Sequence, residues 1–385
     1  MTDLVALTMA PSEVPDAARR VWDRGDAVAV LPDGLPAAWR DQLLAVLRPD
    51  AVLGADGVEL RTGIAVIEQR GASDAGALQP GDALVMATSG TAGDPKAVVL
   101  THAALDHAAF SSSAYLGLDP DIRWLGCLPL DHIGGFGVVS RALRCDLDLV
   151  VHDRFDAGSV EVAAADGCTH TSLVPTTLAR IDPRLFRRIL LGGSAIPTDR
   201  PGNCVATYGM TESCGGVVYD GLGLNGVELR IDQNDQILLR GPTMLRCYRD
   251  GTTPFDDAGW YPSGDLGSID PTTGVLSVNG RADDVINTGG EKVWPDRVEA
   301  VLRTHPGVAE VGVVGEPDDE WGHVVVAHVV PVDPSAPPEL RALRDLVRAE
   351  LPPYNAPRRL VIREQLPRTA IGKLRRSALS TPPQR

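Results

Sequence analysis

Between residues 123 and 208, short apolar runs alternate with stretches of helical spacing, and this alternation restricts the fold more than any other feature of the chain. "RWLGCLPL", "LDLVVH", "THTSLV", "RRILLGG" and "NCVATYG" read as strands, with "GFGVVSRAL" and "AGSVEVAAA" between them as helices. Strands separated by helices imply crossover connections, and those build a parallel, doubly wound α/β sheet covered on both faces. Such a sheet takes its ligands at the carboxyl ends of its strands. Three loops rich in glycine or hydroxyls fall at such ends: "TSGTAG", "LGGSAIP" with Gly193 and Ser194, and "YGMTES".

The flanking regions differ in character. Residues 1–80 are weakly patterned, with a helix expected near 36–47 from the spacing of Trp39, Leu43, Leu44 and Leu47. "DALVMATS" reads as a buried strand entering the glycine loop and "AVVL" as a strand leaving it, after which Thr101 is placed to cap a helix over 102–115. Residues 217–280 carry strand-like runs separated by Asn-Asp, Asp-Gly and Thr-Gly turns, the pattern of a β-rich part. From there the chain restarts as a small α+β unit, with Pro295 and Asp296 opening a helix, "EVGVVG" and "HVVVAHVVPV" as strands and Leu340–Leu351 as a second helix. The expected organisation is a large domain over 1–280, with 217–280 as its β-rich part, and a small mobile domain over 281–385.

Composition excludes several functions. The net charge of −15 disfavours a nucleic-acid partner, because a phosphate backbone calls for a basic face. The N-terminus starts acidic with no basic flank ahead of an apolar run, so no secretory signal is expected, and no 18-residue apolar stretch suggests membrane insertion. Six scattered cysteines without a C-x-x-C pair read as reduced, structural thiols of a cytoplasmic protein. The sequence does not fix the oligomeric state, and a homodimer is compatible with it. Only three of the 36 basic residues are lysine, and Lys96, Lys292 and Lys373 all lie in glycine-containing stretches. In a chain that otherwise uses arginine, a retained lysine suggests a site needing a compact ammonium instead of a planar fork.

The stretch "TSGTAGDPK" over 88–96 has the small and hydroxylated residues of a phosphate loop, yet it departs from the common G-x-x-x-x-G-K-[ST] form because Pro95 precedes the lysine and Ala97 follows it. Four further stretches follow in order: "YGMTES" at 208–213, "YPSGDLG" at 261–267, "GRADDVINTGGEKVWP" at 280–295 and "RTAIGKLRR" at 368–376. Taken together over about residues 80–380, they resemble the signature motifs of the adenylate-forming superfamily of acyl-CoA synthetases, carrier-protein adenylation domains and luciferases. The resemblance implies ATP and Mg²⁺ as cofactors and CoA as a substrate. In that chemistry a carboxylate attacks an α-phosphate, so cations and N–H donors must surround two approaching anions.

By resemblance, Thr88, Ser89, Gly90, Thr91 and Lys96 hold the β- and γ-phosphates, and the loop's backbone N–H groups meet the outgoing pyrophosphate. Ala92 and Ala97 depart from the superfamily's usual loop, which implies weaker or less mobile phosphate holding. Gly193 and Ser194 join the nucleotide site, Tyr208 flanks the adenine, Thr211 touches the α-phosphate and Glu212 is the Mg²⁺ ligand. Asp265 accepts the ribose hydroxyls and Arg281 binds ribose or phosphate. Asp283 matches the hinge about which the small domain turns between half-reactions. In one arrangement Lys373 neutralises charge between carboxylate and α-phosphate, and in the other Gly289 and Gly290 line the pantetheine tunnel.

Two stretches narrow the acid. "LPLDHIGGFGVVSRAL" at 128–143 and "THTSLVPTTLARI" at 169–181 are similar to the 2-succinylbenzoate–CoA ligases of menaquinone biosynthesis. This implies an aromatic carboxylic acid whose second carboxylate needs a cationic or hydrogen-bonding partner, for which Arg141, His132, Gly135, Ser172 and Thr176 are the candidates. His132 reads as a pocket wall and not as a general base, since the attacking carboxylate is already ionised. Another aryl- or acyl-CoA ligase, an adenylation enzyme that loads a carrier protein, and a non-catalytic ATP-binding homologue stay open as alternatives.

Overall fold

The computed structural model describes residues 2–32, 34–57, 59–61, 76–88, 95–117, 121–194, 196–197, 199–368 and 374–379. The chain divides by contact into two units, one of residues 1–229 and 239–261 and the other of 230–238 and 262–385.

Two seven-stranded sheets build the first unit. The core of one sheet is parallel, with Ala27–Val30, Leu4–Thr8 and Ala51–Gly54 side by side and Asp82–Thr88 next to Ala27–Val30. These strands are short and almost wholly apolar, because a parallel sheet under helices is buried on both faces. Residues 1–80 are therefore weakly patterned for a physical reason: strands buried on both sides lose the polar–apolar alternation that would announce them. The expected helix is present as Ala37–Leu47, and a second, unanticipated helix runs Val14–Asp23. Lys96–Thr101 folds back antiparallel onto Asp82–Thr88, and the two-residue strand Cys247–Tyr248 adds antiparallel to Lys96–Thr101. Thr101 caps helix His102–Leu116, accepting from the Ala104 amide at 3.1 Å.

The other sheet is the doubly wound one. Asp148–Val151, Arg123–Gly126, His170–Leu173, Arg188–Leu191 and Cys204–Met210 run parallel in that order. Gly215–Tyr219 then returns antiparallel to Cys204–Met210. Helix Ile133–Cys145 and helix Ala157–Ala165 fall where the sequence predicts them. Gly209 is obligatory in the return: a Cβ there would sit 1.9 Å from the Gly215 carbonyl oxygen.

A four-stranded sheet of Glu228–Ile231, Gln236–Arg240, Tyr261–Ile269 and Leu276–Arg281, in chain order, has most of its residues in the second unit. That unit also holds a five-stranded sheet dominated by the antiparallel pair Val308–Asp318 and Gly322–Pro331, with the strand Arg359–Ile362, absent from the sequence reading, parallel to the latter. Helices Pro295–Leu302 and Leu340–Glu350 bury Val298, Leu302, Leu343 and Val347 against it. Arg376, largely buried, bonds Asp284 at 3.2 Å and Glu299 at 2.8 Å and also pairs with Asp296, tying the C-terminal segment to helix Pro295–Leu302 and the turn Ala282–Asp284 before it. None of the six cysteines forms a disulfide, and burial pushes the Cys127 thiol up to about 11. No helix among the described residues is long and apolar enough to cross a membrane.

Candidate active site

The hairpin that carries the glycine- and hydroxyl-rich stretch sets the first part of the candidate site. Its strands Asp82–Thr88 and Lys96–Thr101 pair in a register that puts Thr88 opposite Lys96, and the Thr88 hydroxyl donates to the Lys96 carbonyl at 3.4 Å. Ser89, Gly90 and Thr91, between them, lie outside the described residues. Asp82, at the foot of the hairpin, is buried and takes a two-pronged pair from Arg246, with Nε and Nη2 each 2.8 Å from a carboxylate oxygen. That pair and the backbone ladder fix the segment that carries Tyr248 along the edge of Lys96–Thr101.

The strand Cys204–Met210 delivers the second part. Tyr208 stands near its carboxyl end, and the chain then turns through a single 3-10 turn, Thr211–Ser213. Ser213 fixes the turn: its hydroxyl accepts from the Met210 amide at 3.0 Å and reaches the Gly215 carbonyl at 2.8 Å. Thr211 and Glu212 are left half-buried at the rim. The Glu212 carboxylate meets the Tyr248 hydroxyl, which donates to its Oε1 at 3.0 Å, and the Lys96 ammonium lies over the same ring, 4.8 Å from its centroid. Burial, and after it the Glu212 charge, push the Tyr248 phenol well above its ordinary value, so it is a neutral donor. Lys96 and Glu212, 116 positions apart in the sequence, thus share one phenol. Tyr248 was not legible as part of the site, because nothing local in "LRCYRD" reports that its strand pairs with residues 98–99.

Glu212 suits the metal assigned to it. One of its oxygens is engaged by Tyr248, and no group of three or more His, Cys, Asp or Glu side chains among the described residues forms a cage. One carboxylate with room for other ligands is how Mg²⁺ is held when phosphate oxygens and water complete its shell. Gly193 and Ser194 are exposed just beyond strand Arg188–Leu191, with Gly193 at φ +82°, in the position expected for a loop at a strand's carboxyl end.

The acid-site candidates separate. Arg141 is buried inside helix Ile133–Cys145: its guanidinium stacks 4.8 Å from the Trp124 ring centroid, Nε donates to the Ser112 hydroxyl at 2.9 Å and Nη2 to the Tyr219 hydroxyl at 3.4 Å. Nη1 has no hydrogen-bond partner, and no carboxylate among the described residues pairs with the group. His132 stands at the opposite end of that helix, partly exposed and 3.6 Å from Asp131. Ser172 is buried on its strand and Thr176 exposed on the short helix Pro175–Leu178. No hydrogen bond joins Arg141 to any of these three among the described residues. Gly135 has a packing reason: a Cβ would lie 2.2 Å from the Pro129 carbonyl oxygen, so glycine lets the helix start against the 128–129 turn. Trp124, Ser112 and Tyr219, which surround the guanidinium, were not legible in the sequence, since three separate elements supply them.

In the second unit, Arg281 joins two of the candidates. Its Nη1 donates to the Ser263 carbonyl at 2.9 Å and to Asp265 Oδ1 at 3.3 Å, and its Nη2 lies 3.8 Å from Asp283. A Cβ on Gly264 would run into this guanidinium, so glycine there allows the close approach. Gly289 and Gly290 form a turn with φ +58° and +87°; a Cβ on Gly289 would meet the Trp321 ring at 2.7 Å. Lys373 lies outside the described residues.

A doubly wound α/β unit with a glycine-rich hairpin and an acidic turn at strand ends, accompanied by a small α+β unit, has the arrangement in which α/β enzymes take a ligand at the carboxyl ends of their strands. The chain belongs to the AMP-binding enzyme family: residues 4–248 match that family's model, and residues 297–373 match the AMP-binding enzyme C-terminal domain. It is 40% identical over 336 residues to the probable 2-succinylbenzoate–CoA ligase of Mycobacterium tuberculosis, a match covering 79% of this chain and 87% of that protein. It superposes with a TM-score of 0.84 and 27% identity on o-succinylbenzoate CoA synthetase (MenE) from Bacillus subtilis in complex with the acyl-adenylate intermediate, over 99% of this chain and 88% of that one. The same enzyme in complex with ATP and magnesium ion matches with a TM-score of 0.83 at 26% identity, over 98% and 89% of the two chains.

Proposed function

We propose that the chain is a 2-succinylbenzoate–CoA ligase of menaquinone biosynthesis, an AMP-forming acid–thiol ligase acting in the cytoplasm on ATP, CoA and an aromatic acid. The observation that carries the choice of acid is Arg141. A buried guanidinium without a carboxylate partner is costly unless an anion arrives to pair with it, and a ligand with a second carboxylate is such an anion.

In the first half-reaction an oxygen of the succinyl carboxylate attacks the α-phosphorus, the bond to the bridging oxygen breaks, and pyrophosphate leaves with that electron pair. Thr88 and Lys96, with Ser89, Gly90 and Thr91, hold the leaving phosphates, while Thr211 orients the α-phosphate. Tyr208, Gly193 and Ser194 seat the adenosine, and Asp265, steadied by Arg281, accepts the ribose hydroxyls. Glu212 would hold Mg²⁺, which supplies neutralisation of phosphate charge when bound. Lys373 offsets the repulsion between the two anions as they meet. In the second half-reaction the small domain turns about Asp283, within the turn Ala282–Asp284, and Gly289 and Gly290 admit the pantetheine arm. The CoA thiolate attacks the acyl carbon, and AMP leaves.

Replacing Lys373 tests this division of labour. Lys373→Ala is expected to abolish acid-dependent ATP–pyrophosphate exchange while sparing thioester formation from supplied acyl-adenylate. Unchanged exchange would remove Lys373 from the adenylation step.

A further inference from the structure

We infer that Tyr248 is a positioning residue of the adenylation centre, aiming the Glu212 carboxylate with its hydroxyl and holding the Lys96 ammonium with its ring. The inference deepens the proposed function and rests on Glu212 as the metal-side carboxylate and Lys96 as the phosphate-side cation.

Three observations carry it. The hydroxyl lies 3.0 Å from Glu212 Oε1, which uses that oxygen and leaves Oε2 without a hydrogen-bond partner among the described residues. The ring lies 4.8 Å below the Lys96 nitrogen, and the ammonium forms no salt bridge among the described residues, the Asp250 carboxylate feeling its charge from beyond ion-pair distance. A neutral ring attracts the cation through its quadrupole without cancelling its charge, so the lysine is steered and stays available to an anion. A carboxylate in the same place would consume the charge the phosphates need.

The phenol itself has little freedom. Tyr248 is 6% exposed, its strand pairs with residues 98–99, and its amide donates to the Thr252 carbonyl at 2.8 Å. Three residues earlier, the Leu245 amide donates to the Glu212 carbonyl at 2.7 Å, so backbone and side chain of Glu212 are both held from one segment. Arg246, between these two contacts, locks the segment to buried Asp82. A phenol this constrained sets the direction of what it binds, which is how a supporting residue serves a site.

The test is calorimetric ATP binding with and without Mg²⁺, for the wild type, Glu212→Gln, Tyr248→Phe, Tyr248→Leu and the double variant Glu212→Gln/Tyr248→Phe. Tyr248→Phe deletes one oxygen and keeps the ring. It is expected to cut the tightening of ATP binding by Mg²⁺ roughly tenfold, the worth of a hydrogen bond to a charged group, with the Mg²⁺-free affinity unchanged. Tyr248→Leu is expected also to weaken Mg²⁺-free ATP binding severalfold, because Lys96 loses its platform. In the Glu212→Gln background, Tyr248→Phe adds nothing, since both act through the same carboxylate. A merely structural phenol would lower the melting temperature and leave the Mg²⁺ effect intact. If Glu212→Gln loses the Mg²⁺ effect while Tyr248→Phe keeps it, the inference falls and Glu212 stands. If Glu212→Gln keeps it, the assignment of Glu212 falls and the inference with it.

Discussion

Arg141 shows how a residue type can be legible while its surroundings are not. Its position after "DHIGGFGVVS" marks it by resemblance, but only the fold supplies the Trp124 face, the Ser112 and Tyr219 hydroxyls and the unpartnered Nη1. Arginine suits this role better than lysine, because a planar fork can stack on an indole, keep two neutral partners and still offer a donor pair to a carboxylate. Losing the partner of a buried, hydrogen-bonded carboxylate costs about 2–5 kcal/mol. Arg141→Ala is therefore expected to raise the KM for 2-succinylbenzoate at least ~30-fold, with the KM for ATP moving far less. Arg141→Lys falls between, since it keeps charge without the fork. Steady-state kinetics with each substrate varied in turn reads the effect; equal rises for both substrates would take Arg141 out of the acid site.

At the scale of elements, the strand Gly322–Pro331 carries a titration that local sequence does not announce. His328 on it is buried, and burial, then the Arg363 guanidinium, hold its pKa down at about 4. The cause is visible in the geometry: Arg363 Nε donates to His328 Nδ1 at 3.2 Å, so a proton there would set two cations face to face in a dry site. The unfolded chain binds that proton near pH 6.5 and the folded one does not, so stability is full above about 6.5 and falls as the pH drops toward 4. Between pH 7 and pH 5 this one group withdraws about 2 kcal/mol. Urea unfolding at the two pH values is expected to show that loss in the wild type and a smaller one, by about that amount, in His328→Leu. The same pH dependence in both would mean that His328 is protonated in the folded chain. The doubly wound strands were legible as elements because helices separate them, and Thr101 as a cap because its residue type and position agree. The strands of residues 1–54 were not, since burial on both faces erases their pattern; nor was Cys247–Tyr248, a strand only because a partner nearly 150 positions earlier offers an edge.

At the scale of the whole molecule, the order of the motifs was readable and their convergence was not. Glu212 and Lys96 each stood out by motif, but the phenol that joins them belongs to no motif named in the sequence reading. Asp265, Arg281 and Asp283 were assigned separate duties, and the structure joins them through the Arg281 guanidinium. What the sequence carries well is chemistry with a fixed local spacing. What it carries poorly is any contact closed by long-range packing, and the supporting residues of a site are made of such contacts. The identity of the acid decides what this enzyme does. The most direct measurement is CoA-thioester formation from ATP, CoA and a panel of acids, with AMP followed in parallel, the panel holding 2-succinylbenzoate, benzoate, salicylate and medium- and long-chain fatty acids. A large preference for 2-succinylbenzoate with one AMP released per thioester is the predicted result; thioester and AMP from another acid in preference, or no AMP from any of them, would contradict it.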